Sequence, residues 1–378
     1  MTRIGIVTSS YPSAPGDPAG AFVAEHARWL RDRGHEVQVL AARPGERVRE
    51  PGLRVDRAAF GRRLLGAEGA PEVLERKRGR VDALAVTSAL LVEAGWRSRH
   101  WDRLIAHWLV PSGLVAAAIA RGRPLHAIAH SGDVHLLRRL GLVTPVAAAL
   151  VRAGATLSFV SEELRERFLR GVRALALRRE VERRSRITAM GVCVDRFRRA
   201  AAKRPPGRRP VAFLGRLVPV KGCDVAVAAA GMWKSPVPLA IAGAGPEEGR
   251  LRAQAGSLGR GAVSLLGELR GAARDRFVAG AAALILPSRR LGGGRSEGFP
   301  VAALEAMAAG VPVIASAAGG LAEIPPGAVT HIPPDDARAL ARAVDRLLVD
   351  EGERVRQVSE AAAWVRGCDW DAVGPRLF

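Results

Sequence analysis

Short apolar runs alternate with helix-like stretches along almost the whole chain. In the first half, residues 4–9, 36–41, 103–107, 127–130 and 157–161 read as strands. Between them lie segments such as 21–33, which carry helical spacing of apolar positions and stop at Gly34. The pattern recurs in the second half, with strands expected at 211–214, 239–242, 264–266, 283–286 and 311–315. Strand and helix in alternation predict a parallel, doubly wound α/β sheet. Two rounds of the pattern predict two such domains. The segment 198–210, with Pro-Pro-Gly flanked by charges, reads as the linker between a first domain of residues 1–206 and a second starting at 207. Ligands of open α/β sheets bind beyond the carboxyl ends of the strands, so the expected site is a cleft faced by both sheets.

Composition narrows the class. A chain of 378 residues, 48% hydrophobic and 25% charged, is long enough for two ordinary cores and is not a disordered composition. Its three cysteines, Cys193, Cys223 and Cys368, are sparse and show no metal-ligand spacing, which suits a reducing cytoplasm. The apolar run at the amino terminus is too short for a signal peptide, and no run reaches the roughly 18 residues of a spanning helix. The expectation is a soluble or peripheral cytoplasmic protein. Net charge is +21, and only four of the 58 basic residues are lysine. The excess is uneven: residues 1–206 carry 37 basic and 20 acidic residues, whereas 207–378 carry 21 and 17. A compositional bias towards arginine acts evenly, so the basic first half calls for its own explanation.

Candidate chemistry collects at strand ends. No G-x-G-x-x-G follows the first strand; a loop at residues 10–19 leads to Gly20 at a helix start, either as a surface loop or as a lid over a ligand. His107 and His130 each end an apolar run, and His130 leads into the polar turn Ser131-Gly132-Asp133. His107 reads as structural, and His130 is balanced between structure and function. Gly215-Arg216 ends a strand, and Lys221-Gly222 precedes a helix; both cations suit phosphate. Gly243-Ala244-Gly245-Pro246 reads first as a plain strand-to-helix connection and otherwise as a backbone turn near a nucleotide. A short helix is expected over 300–309, with Gly298 leaving room for an anion at its mouth. Glu297 beside it either caps the helix or meets a neutral partner rich in hydroxyls. Glu305 stands among Val, Ala, Leu and Met on that helix. A buried carboxylate without a partner costs several kcal/mol (about 3–5). Glu305 therefore faces a solvent stripe, an arginine, or paired hydroxyls such as a ribose presents.

Glu297 and Glu305, with seven residues between them and followed by "EAMAAGVPVIASAAGGLAEI", resemble the E-x7-E region of glycosyltransferase family 4. "FLGRLVPVKG" resembles the family's donor-phosphate loop, "AHSGDV" its His-Gly turn, and "MGVCVDRF" the segment just before its second domain. "CDWDAVGPRLF" is similar to its terminal crossover helix. The resemblance covers most of the chain and is tightest over residues 187–325. It implies a GT-B fold, two Rossmann-like domains facing a central cleft. Residues 1–206 would bind acceptor, 207–360 the nucleotide-sugar, and 361–378 would cross back onto the first domain. It implies a retaining hexosyltransferase that moves sugar from a nucleotide-diphosphate sugar to a hydroxyl acceptor, a glycan or lipid-linked sugar in cell-envelope or polysaccharide synthesis. Arg216 and Lys221 would stabilise the leaving diphosphate, with backbone N–H groups near Gly298 and Phe299. Glu297 would bind sugar hydroxyls and Glu305 the ribose. Gly20 would let the first loop approach the phosphates, and His130 would contact the sugar, with Ser131 and Asp133 beside it. No cofactor and no metal are implied; Asp369-Trp370-Asp371 reads as part of the crossover helix.

The basic first half has its own expectation. Segments 57–80 and 165–186 hold much of the excess, and the second, with nine arginines among Phe, Leu and Val, reads as a basic amphipathic helix. It either docks on the anionic inner face of the cell membrane or is a solvated face. Nucleic acid is not the expected partner, because aromatics are only 4% and no recognition motif appears. Other GT-B enzymes, a sugar phosphorylase or a nucleotide-sugar epimerase, remain alternatives.

Overall fold

The structure is a computed structural model. It describes all residues except 43, 59–78, 205, 208 and 260, and at 79–84 the backbone alone. The chain forms two compact units: residues 1–191 with 373–378, and residues 192–372.

The first unit is built on a sheet of eight described strands: β1 (Arg3–Thr8), β2 (Glu36–Ala41), β3 (Val48–Glu50), β4 (Leu53–Arg57), β5 (Arg103–His107), β6 (Leu125–Ala129), β7 (Thr156–Phe159) and β8 (Ser185–Ile187). Their order is β3-β4-β2-β1-β5-β6-β7-β8, and all neighbours are parallel except β3 and β4. The central strands are apolar on both faces, and β6 (LHAIA) is buried throughout, because helices cover parallel sheets on each side. Helix Ala21–Asp32 turns Val23, Ala27 and Leu30 inward at helical spacing and is followed by Gly34 at φ 82°. β3, β4 and β8 are too short and too charged to stand out as apolar runs.

The second unit has six described strands, all parallel: β9 (Val211–Leu214), β10 (Leu239–Ala242), β11 (Val263–Leu265), β12 (Ala283–Leu286), β13 (Val313–Ser316) and β14 (Thr330–Ile332), in the order β11-β10-β9-β12-β13-β14. Alternation decides which side chain joins which core. Val211 and Phe213 pack with helices Cys223–Ala230 and Ala337–Val349, while Ala212 and Leu214 pack with helix Val301–Ala308.

Two boundaries differ from expectation. The change of unit falls at 191/192 rather than 206/207. Helix Val194–Ala202 belongs with the second unit because Phe197 is fully buried in its core and Arg196 grips Asp275 at 2.7 and 2.8 Å. At the other end, helix Glu351–Val365 stays with the second unit, and of the expected crossover 361–378 only 373–378 join the first. There Gly374 lies against Trp29, and Phe378 stacks on His35 at 4.8 Å under the Arg103 guanidinium.

The basic segment 165–186 is not one amphipathic helix. It divides into the end of helix Glu162–Leu169, helix Leu175–Arg184 and β8, with a break around Gly171. Five of its nine arginines pair with nearby glutamates: Arg165 with Glu162, Arg167 with Glu163, Arg170 with Glu166, and Arg183 and Arg184 with Glu180. Most of segment 57–80 lies outside the described residues. No described helix is long and apolar enough to cross a membrane.

Candidate functional site

In the second unit, the loops after β9 and β12 carry the chemistry. The chain leaves β9 at Gly215-Arg216, whose backbone is pressed against the loop after β10. A Cβ at Gly243 would lie 1.8 Å from the Gly215 carbonyl oxygen, and one at Gly245 would lie 2.4 Å from that of Leu217. The Gly243–Gly245 turn thus serves close backbone packing, as its reading as a plain connection implies. Lys221 ends a short 3-10 turn at Gly222, whose φ of 64° and 2.0 Å virtual contact with the Pro287 carbonyl admit no side chain. The aliphatic end of Lys221 passes over Gly215.

Lys221 Nζ donates to Glu297 Oε2 at 2.5 Å, and Ser288 Oγ lies 3.4 Å from the same oxygen. Both members of the pair are largely enclosed, with 20% and 13% side-chain exposure. Glu297 does not cap the following helix, whose N-cap is Pro300 with no side-chain hydrogen bond. Its loop is instead held from below by glycines. A Cβ at Gly319 would meet the Glu297 carbonyl oxygen at 2.2 Å, and one at Gly320 would meet that of Gly298 at 1.9 Å. Phe299 anchors the loop by stacking on Trp364 at 6.2 Å.

Helix Val301–Ala308 carries Glu305, which is 6% exposed. Of the partners considered for it, the structure supplies an arginine: Arg274 Nη1 and Nη2, from helix Gly271–Ala279, donate to Oε1 at 2.8 Å and Oε2 at 2.5 Å. Burial works against the Arg274 charge, but Glu305 beside it holds the guanidinium above its ordinary pKa. Each Glu305 oxygen has lone pairs beyond those Arg274 uses, so the carboxylate can still accept from hydroxyls. Arg274 carries no local signal in an arginine-rich sequence; only the packing of two helices reveals it.

In the first unit, His130 follows β6 and belongs to a row of three imidazoles. His26 Nδ1 lies 3.1 Å from His107 Nε2, and His107 Nδ1 lies 3.1 Å from His130 Nε2. Burial lowers the pKa of all three, to about 3 for His26 and His130. Trp108 and Phe22 pack on His130 with ring centroids at 4.7 and 4.9 Å. Asp133 is 3% exposed and shapes the turn: its oxygens accept the backbone N–H groups of Leu109 (2.8 Å), His130 (3.2 Å) and Ser131 (3.0 Å). Burial raises its pKa against those hydrogen bonds. Trp108 (φ 70°) and Ser131 (φ 127°) hold backbone conformations that side chains rarely adopt. His26, Phe22 and Trp108 were missed by sequence reasoning. His26 could have been found, since it shares the inward face of its helix with Val23 and Leu30.

Gly20, at φ 72°, presses on the Ser10 backbone, where a Cβ would lie 2.7 Å from the carbonyl oxygen. The loop before it is tied down. Asp17 accepts from the backbone of Ser13 (2.8 Å) and Ala19 (2.9 Å), and Arg57 reaches the carbonyls of Tyr11, Pro12 and Glu46. Asp369 of the D-x-D accepts from the backbone of Val194 (3.1 Å) and Asp371 (3.0 Å), a structural use. Among the described residues no group of three or more His, Cys, Asp or Glu is arranged to hold a metal ion.

Comparison with known proteins bears on the family and the fold. Residues 195–364 match the family "Glycosyl transferases group 1". The chain is 30% identical over 387 aligned positions to a D-inositol 3-phosphate glycosyltransferase from Acidothermus cellulolyticus, covering 94% of this chain and 84% of the relative. It is 36% identical over 196 positions to a phosphatidyl-myo-inositol mannosyltransferase from Mycobacterium leprae, a match that spans half of each chain. Among solved structures, sucrose-phosphate synthase from Thermosynechococcus elongatus superposes with a TM-score of 0.76 at 21% identity, covering 100% of this chain and 97% of that one. Anabaena HepE in complex with UDP-glucose superposes at 0.71 with 18% identity, covering 100% and 98%. The chain belongs to the glycosyl transferases group 1 and is a glycosyltransferase of the GT-B fold.

Proposed function

We propose that this enzyme transfers a sugar, with retention at the anomeric carbon, from a nucleotide-diphosphate sugar to a hydroxyl of a glycan or lipid-linked acceptor in envelope or polysaccharide synthesis. The observation that carries this reading is the Lys221–Glu297 pair held between the loops after β9 and β12, with Glu305 just over one turn into the next helix. Lys221 and Arg216 supply positive charge for a departing diphosphate. Glu297 and Glu305 supply acceptors for sugar and ribose hydroxyls, and the backbone of Gly298 and Phe299 lies at the helix mouth, where N–H groups favour an anion. In the step itself the acceptor oxygen bonds to the anomeric carbon on the face the diphosphate leaves. The bond from that carbon to the phosphate oxygen breaks, and the acceptor proton passes to that oxygen. No protein nucleophile is needed. His130, with Ser131 and Asp133 shaping its turn, contacts the transferred sugar, and Gly20 lets its loop approach the phosphates.

The names of relatives support a nucleotide-sugar donor without agreeing on one: a mannosyltransferase from Mycobacterium tuberculosis is called GDP-mannose-dependent, whereas the HepE structure holds UDP-glucose. A thermal-shift panel of UDP-, GDP- and ADP-sugars tests the reading, because a true donor raises the melting temperature by mass action. Release of nucleoside diphosphate should then depend on an added acceptor. No shift and no release with any donor would overturn it. Acceptor-independent interconversion of the sugar would favour the epimerase alternative, and consumption of orthophosphate the phosphorylase.

A peripheral place at the inner face of the membrane is part of the same proposal. It rests on the excess of positive charge in residues 1–206, with 37 basic against 20 acidic residues, and on Leu175, exposed on the basic helix Leu175–Arg184. Flotation with anionic but not neutral vesicles at moderate salt is the expected result.

A further inference from the structure

The row His26–His107–His130 has a property that none of its members has alone. A neutral imidazole carries one N–H and one bare nitrogen. Each of the two 3.1 Å contacts needs one of each. Only two arrangements satisfy both contacts. In one, His26 Nδ1 and His107 Nδ1 donate along the row, and the proton of His130 must sit on Nδ1. In the other, His130 Nε2 and His107 Nε2 donate the opposite way, and His130 Nδ1 is bare. Any mixed arrangement sets two lone pairs or two N–H groups against each other in a buried place, which breaks a hydrogen bond there.

We propose that His26 and His107 are positioning residues that hold His130 to the tautomer the whole row shares, Nδ1–H on all three rings or Nε2–H on all three, and so tie whether its Nδ1 donates to or accepts from a sugar hydroxyl to the two buried rings behind it. This rests on the reading above that His130 contacts the transferred sugar.

Three further observations favour the lock. Neutral rings are required, and burial keeps all three rings neutral near pH 7. The planes of His107 and His130 differ by 16° with centroids 5.2 Å apart, which suits a bond running in both ring planes. Asp133, the nearby carboxylate that could orient a histidine, is engaged by three backbone N–H groups instead. The row also ties His130 to helix Ala21–Asp32, which begins at the Gly20 loop, so the tautomer is set from the element that carries that loop.

Nitrogen-15 NMR of histidine-labelled enzyme reads the tautomer directly, with the His130 signals assigned by their loss in His130→Gln. The wild type should show the same tautomer at His130, His107 and His26. His107→Phe, which removes both links, should change the His130 tautomer ratio, and kcat should fall between about tenfold and a hundredfold while the donor KM moves less than about twofold. His26→Phe should do the same more weakly, and His26→Asn, whose amide can meet His107 Nε2 as donor or acceptor, should move the His130 ratio less than His26→Phe does. Should His107→Phe fail to fold, the two His26 variants decide. Unlike tautomers within the row of the wild type, an unchanged His130 tautomer ratio in His107→Phe or His26→Phe, or a changed ratio with unchanged kcat would each overturn the proposal. The spectra need no donor, so a failure to find one would count against the proposed function and leave the lock standing or falling on the tautomer alone.

Discussion

The two units bury polar groups in opposite ways. In the first, the polar centre is a row of imidazoles that burial keeps uncharged. In the second, it is two carboxylates, each facing a cation: Glu297 with Lys221 and Glu305 with Arg274. The contrast follows from intrinsic pKa. An imidazole sheds its charge near neutrality at small cost, so desolvation simply neutralises it. A carboxylate beside a guanidinium stays charged, so its burial depends on the partner. The first centre is therefore exposed to acid, and the second to loss of either member of a pair.

The largest expected effect comes from splitting the Glu305–Arg274 pair. Glu305→Ala strands a buried guanidinium and should cost about 3–5 kcal/mol in urea unfolding. On the sequence alone this variant would be expected to stay folded and merely lose activity; the bidentate arginine changes that expectation. Arg274→Met with Glu305→Leu should recover most of the stability but no donor binding. Equal stability of single and double variants would break the contrast.

Lys221→Ala should act on turnover more than on folding. Losing a cation aimed at the leaving diphosphate should lower kcat about 10²- to 10³-fold. Turnover near the wild-type level would remove Lys221 from the site. Glu297, left without its ammonium, should also lose its fixed position, which a donor KM measurement would register.

The imidazoles make the opposite kind of prediction. His26 and His130 of the row, and His126, buried on β6 beside the Ser158 hydroxyl, have folded pKa values of about 3 against 6.5 for the free side chain. The unfolded chain therefore binds more protons below 6.5, and the stability these groups share is complete above 6.5 and is lost as pH falls towards 3. Each contributes a slope of at most about 1.4 kcal/mol per pH unit. Carboxylates whose pKa is depressed, such as Asp102 at about 2, act only below the unfolded carboxyl range. Asp133, raised by burial, tilts the other way. The informative measurement is thus a difference: His126→Asn should flatten the fall in urea midpoint between pH 6.5 and 5.0. An unchanged slope would show that His126 is not buried neutral.

The smallest effect belongs to the surface. Arg183→Ala breaks an exposed pair with Glu180 and should leave the urea midpoint almost unchanged. A larger loss would mean that the paired arginines of the first unit support more than solubility.

How far these features were legible depends on where their cause lies. β2, β5, β9, β10 and β12 match their expected runs residue for residue, because a strand buried on both faces writes most or all of its length in apolar side chains. β3, β4 and β8, short and partly charged, left no such record. Lys221, Glu297 and Glu305 stood out because each is rare in its local setting: a lysine among arginines, a carboxylate in a glycine loop, a carboxylate on an apolar helix. The segment 165–186 was misread because its mixture of arginine and apolar residues hides the glutamates that neutralise it and the break at Gly171.

Local order was determined by the sequence itself: strand and helix in alternation, glycines where the backbone turns, and the residue types able to hold phosphate and hydroxyls. Those follow from side-chain period and backbone sterics, which act over a few residues. The partners were decided only by tertiary structure. Arg274 meets Glu305 across 31 positions, Lys221 meets Glu297 across 76, and His26 meets His107 across 81. Which of 54 arginines or eight histidines completes a site depends on how strands stack and helices pack. No spacing within a single element records that choice.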